Sequence, residues 1–305
     1  MMIVFMGTPE FSVPILEMLI EEKYPVGLVV TQPDRFVGRK KILTPSPVKS
    51  LALAHNIEVF QPEKLRQDYQ HIIDLKPSLI ITASYGQILP KALLEAIPAI
   101  NIHGSLLPKY RGGAPIQYAL FNGDDKTGIT LMEMVYKMDA GAMIKKVEVD
   151  IEPLDDYGTL SNKLSLAGRD LLKENLMSVL NKTYQSTPQN EDEVTFAFTL
   201  KYSDEALDFN KSASWNHNRI RGLSPNVGAH FNIKNTTVKV FKSAISDIID
   251  IQRGEIRIEN KRIFIGTSDR AIELIELQQS GKKQMKVKDY LNGQSLFING
   301  GKIDE

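Results

Sequence analysis

The sequence predicts an α/β protein built on a Rossmann-like, mostly parallel sheet, followed by a small C-terminal OB-like β-barrel. Three observations carry that expectation. Short, continuous apolar runs alternate with amphipathic helical stretches as far as Leu180, the pattern of βα units around a sheet buried on both faces. A polar, aperiodic run, Asn181–Glu193, then interrupts the alternation. Beyond it, one helical stretch is followed by five closely spaced short strands, which suits a small barrel.

Taken in order, Met2–Met6 reads as the first buried strand and ends at Gly7-Thr8-Pro9. Ser12 is placed to cap a helix over Val13–Glu22, with Val13, Leu16, Leu19 and Ile20 on one face. Gly27–Thr31 is a second strand, Val48–His55 a helix, Ile57–Phe60 extended, and Leu65–Leu75 a helix. Leu79–Thr82, Ala99–Ile102, Gly128–Met134 and Ile144–Ile151 continue the strands, and Leu160–Leu180 is a long amphipathic helix. Sheets of this kind place their sites at the carboxyl ends of strands, which directs attention to the loops after Thr31, Ile102 and Met134. After the polar run come a helical stretch, Ser212–Gly222, and strands over Ala229–Ile233, Val238–Ser246, Glu255–Glu259, Arg262–Gly266 and Ile272–Gln278. With 305 residues, of which 42% are apolar, two ordinary domains are expected: residues 1–189 and 208–305, joined by a linker over 190–207.

Composition removes several classes of chemistry. With no cysteine, there is no disulfide, thiolate nucleophile or cysteine-ligated metal. The opening MMIVFMGTPEF lacks the basic segment of a signal peptide, and no apolar run reaches the roughly 18 residues of a membrane span. A soluble, cytoplasmic protein is expected, and a monomer. Net charge is zero, yet unevenly spread: residues 201–305 carry 17 basic and 13 acidic side chains, and residues 1–200 carry 20 and 24. Phe209–Ser246 contains no acid but holds Lys211, Arg219, Arg221, Lys234, Lys239 and Lys242. This is either a solvated face or a local basic surface for a polyanion.

The segment richest in chemistry runs from Asn101 to Pro115, leaving a strand end for a Gly/Pro-rich turn. Residues two apart on a strand share a side, so Asn101 and His103 face one cavity, and the amide donors of the Asn with those of a protonated His together suit a developing oxyanion. After the next strand, Asp139 lies in Asp-Ala-Gly and is placed to open on the same rim and orient His103. Taken singly, the Asn is also a turn former and Asp-x-Gly also ordinary turn chemistry. The absence of G-x-G-x-x-G after the first strand removes the dinucleotide fingerprint.

The run Asn101-x-His103-Gly104-Ser105-Leu106-Leu107-Pro108, then Arg111-Gly112 and Asp139-x-Gly141, resembles the signature of the folate-dependent formyltransferases. Gly7-Thr8-Pro9-Glu10-Phe11 and Tyr85-Gly86-Gln87-Ile88-Leu89-Pro90 resemble the same family, and the resemblance extends from Ile3 to about Gly293. It implies that residues 1–189 form the family's catalytic domain and that Asn101, His103 and Asp139 are its catalytic trio. It further implies folate contacts from Ser105, Leu106, Leu107 and Pro108, with Gln87, Ile88, Leu89, Val135 and Tyr136 around the pterin. The co-substrate would be 10-formyltetrahydrofolate, with no metal, and the formyl group would pass to an amine.

The central motif does not choose the acceptor. A long basic loop, Gln32–Lys49, has no acid from Arg35 to Ile57. It far exceeds the ~2–6 residues of an ordinary βα loop and resembles the family's tRNA-contacting insertion; by itself it is also a solvated charge run. Arg35, Arg39, Lys40, Lys41 and Lys49 here, and Arg219 and Arg221 in the 208–305 domain, are the candidate tRNA contacts. Lys282, Lys283, Lys286 and Lys288 extend the basic surface, and Trp215 is either core or a stacking face. These features favour methionine carried on an initiator tRNA over an amino sugar nucleotide. Phe36-Val37, Phe209 and Asn226-Val227 depart from the family's usual Pro-Ala, Trp and Trp-Pro.

Overall fold

The apolar runs fold as β1 (Ile3–Gly7), β2 (Val26–Val30), β5 (Val59–Phe60), β6 (Leu79–Ala83), β7 (Ala99–His103), β8 (Lys126–Glu133) and β9 (Met143–Asp150) in the computed structural model; a hairpin of β3 (Arg35–Val37) and β4 (Ile42–Thr44) lies between β2 and β5. Residues 1–38, 40–293 and 295–304 are described. The seven strands form one sheet in the order β5-β2-β1-β6-β7-β8-β9. Pairing is parallel from β5 through β7 and antiparallel at β7–β8 and β8–β9. Every residue of β1 and β6 is buried, as for strands covered on both faces. β9, at the edge, has only exposed and half-buried positions.

Local chemistry sets the helix starts. Ser46 caps Pro47–Ala54 by accepting from the Lys49 amide at 3.0 Å, with Pro47 at the first position, where its missing N–H costs nothing. Ser12 precedes the helix Val13–Glu21 as expected, but its hydroxyl donates instead to the Ala83 carbonyl at 2.6 Å, fastening that helix to β6. The expected helix over Leu65–Leu75 is two short ones, Leu65–Asp68 and Gln70–Asp74. Helices over Lys91–Ala96 and Pro115–Asn122, and the β3–β4 hairpin, stand where the sequence pattern assigns no helix or strand.

Contacts divide the chain into two units, one of Met1–Pro115, Lys126–Asp150 and Ser161–Phe198, the other of Ile116–Asp125, Ile151–Leu160 and Thr199–Glu305. In the first, strand order reverses between β1 and β6, the point at which such sheets open a crevice. Thr8 Oγ1 and Gln32 Nε2 both donate to the Tyr85 carbonyl, at 2.9 and 3.2 Å, tying together the loops after β1, β2 and β6. Because β8 runs antiparallel to β7, its carboxyl end lies at the opposite end from the carboxyl end of β7. Contrary to expectation, the loop after Met134 therefore does not leave the sheet on the shared rim.

The second unit is an antiparallel sheet of β10 (Ala229–Ile233), β11 (Thr236–Ile245), β12 (Ile256–Glu259), β13 (Arg262–Gly266) and β14 (Ala271–Gln279), ordered β10-β11-β14-β13-β12, with β15 (Met285–Lys286) on β14. Register shifts at Val240–Ser243 bend β11, as bulges do in small barrels. Among the described residues no ladder joins β12 to β10, so the sheet stays partly open, as OB-type barrels do. Ile220 and Leu223 of the helix Ala213–Leu223 join Phe231, Val240, Ile263, Ile272 and Leu277 in one core, each worth about 1.5–3 kcal/mol when buried. Phe209, where the family's Trp is usual, packs edge-on to Phe231 in this core.

Candidate active site

The pleat of β7 puts Asn101 and His103 on one side of the sheet. Asn101 lies opposite Thr82 of β6 in the parallel register, and the Thr82 hydroxyl donates to Asn101 Oδ1 at 2.8 Å. That bond uses the amide oxygen, so the donors the side chain has to offer are the two N–H groups of Nδ2. Thr82 had no signal in the sequence beyond its place in an apolar strand.

His103 is 6% exposed. Its Nε2 lies 2.9 Å from the Tyr110 carbonyl; a carbonyl only accepts, so Nε2 carries the proton and Nδ1 is the free ring atom. Asp139 Oδ1 is 3.8 Å from that Nδ1, an ion-pairing distance too long for a hydrogen bond. The other carboxylate oxygen, Oδ2, accepts from the Gly112 amide at 2.8 Å. The loop after β8 thus doubles back to bring Asp139 beside β7, and at Asp139 the backbone turns left-handed, φ 47°.

The turn between them is built from polar bonds. Ser105 Oγ donates to the Lys109 carbonyl, Thr130 Oγ1 donates to the Ser105 carbonyl, and the Leu107 amide donates to Thr130 Oγ1. Arg111 is fully buried, and its charge is met by Glu191 at 2.8 Å while Nε donates to Gln189 Oε1 at 2.9 Å. Glu191 also takes Lys137 at 2.8 Å. Hydrogen bonds from Arg111 first, then Lys137, hold the Glu191 carboxyl down to about 2. Backbone bonds Arg111 N to Thr195 O and Ala197 N to Arg111 O complete the attachment. Residues 189–197, most of them inside the stretch expected as linker, are thereby fastened to the candidate site.

The expected folate residues divide by burial. Ile88, Val135 and Tyr136 are exposed apolar side chains, available to a flat ring. Leu106 is half-buried, whereas Leu89, Ser105, Leu107 and Pro108 are buried in the frame. Gln87 is half-buried and spans from the Pro62 carbonyl to the Leu65 amide.

The expected RNA contacts also divide. Arg35, Lys40 and Lys41 are exposed on the hairpin, beside the equally exposed Phe36, Val37, Ile42 and Leu43; Arg39 lies outside the described residues. Lys49 instead pairs with Asp34 at 2.7 Å, and hydrogen bonds from Lys49 and Gln61 lower the Asp34 pKa. In the second unit the Arg219 guanidinium lies 4.1 and 4.5 Å from the Phe121 and Trp215 ring centroids and donates to the Asp204 carbonyl. Arg221 donates to the carbonyls of Glu152, Pro153 and Asp155 and to Asn218. These two arginines bind their own chain, and Trp215 is half-buried.

A cavity of about 830 Å³ in the second unit, lined by His230, Arg253 and Lys302 among others, contains none of the groups around His103. Among the described residues no cluster of three or more His, Cys, Asp or Glu could hold a metal, and no helix is long and apolar enough to cross a membrane.

Comparison with known proteins points to one family. The family model described as formyl transferase matches residues 1–176, and that described as formyl transferase, C-terminal domain, matches residues 199–295. The chain is 46% identical over 308 residues to the methionyl-tRNA formyltransferase of Lactobacillus acidophilus, covering 99% of this chain and 98% of that one. It is 48% identical over 298 residues to the enzyme of the same name from Bacillus subtilis, covering 95% and 94%. Among solved structures, an N-formyltransferase from Helicobacter canadensis, in complex with folinic acid and dTDP-3-aminofucose, superposes with a TM-score of 0.67 at 20% identity, over 89% of this chain and 97% of that one. That likeness is one of fold.

Proposed function

The chain belongs to the formyl transferase family, and on that premise we propose that it transfers the formyl group of 10-formyltetrahydrofolate to the amino group of methionyl initiator tRNA. The observation that carries the chemistry is the meeting of Asn101, His103 and Asp139, brought from two separated segments to one spot. Identity of 46–48% to methionyl-tRNA formyltransferases, spanning both units, carries the choice of acceptor.

Attack of the amine on the N-formyl carbon makes a tetrahedral centre with a negative oxygen. Asn101 Nδ2, oriented by Thr82, donates to that oxygen. The attacking nitrogen must shed a proton; with its Nε2–H given to the Tyr110 carbonyl, His103 acts in this reading not as the second oxyanion donor expected from the sequence but through Nδ1, which takes that proton, with Asp139 placed to stabilise the imidazolium that results. The carbon–nitrogen bond to folate then breaks, and the proton passes to the leaving nitrogen. No covalent enzyme intermediate is required. The exposed Ile88, Val135 and Tyr136 supply apolar surface for the pterin.

In this reading residues 1–189 carry out the transfer, 190–207 link the domains while their first part, up to Ala197, also frames the site, and residues 208–305 serve tRNA, in a monomer that works in the cytoplasm. With Lys49, Arg219 and Arg221 spent on internal contacts, the phosphate-facing charge falls to Arg35, Lys40 and Lys41 on the hairpin. Exposed lysines such as Lys211, Lys242 and Lys283 of the second unit supply the rest. Replacing Arg35, Lys40 and Lys41 with Ala should weaken tRNA binding and lower the slope of log K against log salt by about 0.7–0.9 for each phosphate no longer neutralised. Binding measured at several salt concentrations checks this, and an unchanged slope rejects the hairpin's role.

A further inference from the structure

We propose that Gln189 is a positioning residue for the transfer, holding Asp139 in the conformation that brings its carboxylate to His103. The inference rests on the reading of Asn101, His103 and Asp139 as the reacting groups. It concerns a side chain within a polar run whose sequence shows neither periodicity nor motif.

The geometry is specific. One planar amide makes three bonds: Gln189 Nε2 donates to the Asp139 carbonyl at 2.7 Å and the Gly141 carbonyl at 2.8 Å, and Oε1 accepts from Arg111 Nε at 2.9 Å. Two donors and one acceptor in fixed relation are what a Gln supplies, and neither Glu nor Leu supplies them. The two carbonyls flank Ala140, so the amide grips the chain on both sides of the turn that starts at Asp139, φ 47°. A non-glycine residue persists in that left-handed region when its surroundings over-determine it. The grip is itself anchored, because Arg111 is fully buried, ion-paired with Glu191, and bonded through its backbone to Thr195 and Ala197. Its neighbour Gly112 donates to Asp139 Oδ2. Gln189 therefore closes a ring of contacts that joins the turn after β7, the loop after β8 and the 189–197 segment, with Asp139 at its centre.

Gln189→Met keeps the length and removes every bond. The test is a double-mutant cycle with Asp139→Ala in the full-length protein, read as formyl transfer from 10-formyltetrahydrofolate to methionyl initiator tRNA. The expected result is a kcat lowered about 10- to 100-fold, KM for both substrates within about threefold of wild type, and no further loss when Gln189→Met is added to Asp139→Ala. A wild-type kcat in Gln189→Met overturns the inference, and so does a loss that simply multiplies with that of Asp139→Ala, since the residue would then act elsewhere. If Gln189→Met does not fold, the same cycle is read on Gln189→Asn, which keeps the amide but retracts it by one methylene. Wild-type protein that transfers no formyl group, or Asp139→Ala with full activity, would instead remove the underlying reading of the site.

Discussion

His103→Ala is expected to lower kcat for formyl transfer by about 10³-fold, within the range general acid–base groups contribute. The reason is positional: with Nε2 bound to the Tyr110 carbonyl, Nδ1 is the one atom of this ring that can exchange a proton beside Asp139. The substitution also leaves the Tyr110 carbonyl without this partner and a small cavity near β7, which together cost about 1–3 kcal/mol. The melting temperature should therefore fall by a few degrees while the protein stays folded at assay temperature. Single-turnover transfer and a thermal melt on the same preparation separate the two effects; near-wild-type turnover in a folded variant contradicts the mechanism.

Gly112→Ala is expected to damage both the fold and the chemistry. At Gly112 φ is 130°, and an added Cβ would sit 2.4 Å from the Ala197 carbonyl oxygen. That oxygen cannot retreat easily, because it accepts from the Ala114 amide while the Ala197 amide donates to Arg111. Backbone strain and displacement together should cost about 2–4 kcal/mol. The Gly112 amide that holds Asp139 Oδ2 moves with the backbone, so kcat should fall by at least about tenfold. Gly281→Ala serves as control: φ is 81° there, but nothing lies within 4 Å of the added Cβ, so it bears strain without collision and should lose about 1–2 kcal/mol and no activity. Urea unfolding and steady-state rates on the pair measure the difference.

The parts of the fold legible in the sequence are those that bury apolar side chains in a row. β1 and β6 are wholly buried and read as apolar runs for that reason; the strands of the second unit are legible for the same cause. Short elements that carry no periodicity, such as Lys91–Ala96 and the β3–β4 hairpin with its exposed Phe36 and Ile42, are not. Asp139 does stand beside His103 as the sequence suggests, but it arrives by a different route. Local patterning assigns it to a parallel rim, whereas the antiparallel β8 delivers it through a loop that turns back. Pairing direction depends on partners distant in sequence, which local patterning does not encode.

Charge misleads in a related way. Lys49, Arg219 and Arg221 are visible as basic residues in an acid-poor stretch, but their actual partners, a carboxylate, two aromatic rings and a set of backbone carbonyls, become apparent only once the chain is folded. Gln189 and Glu191 are hidden for the converse reason. A segment that binds through a side-chain amide and a carboxylate has the composition of a linker, and nothing in its hydropathy separates the two.

The central claim is tested most directly by supplying labelled 10-formyltetrahydrofolate to the purified protein with methionyl initiator tRNA in one reaction and an amino sugar nucleotide in another. The account predicts label on the methionyl amino group of the tRNA, at a rate that collapses in His103→Ala, and none on the sugar. Label on the sugar alone would contradict the choice of acceptor while leaving Asn101, His103 and Asp139 in their roles, and label on neither, from folded protein, would contradict the chemistry itself.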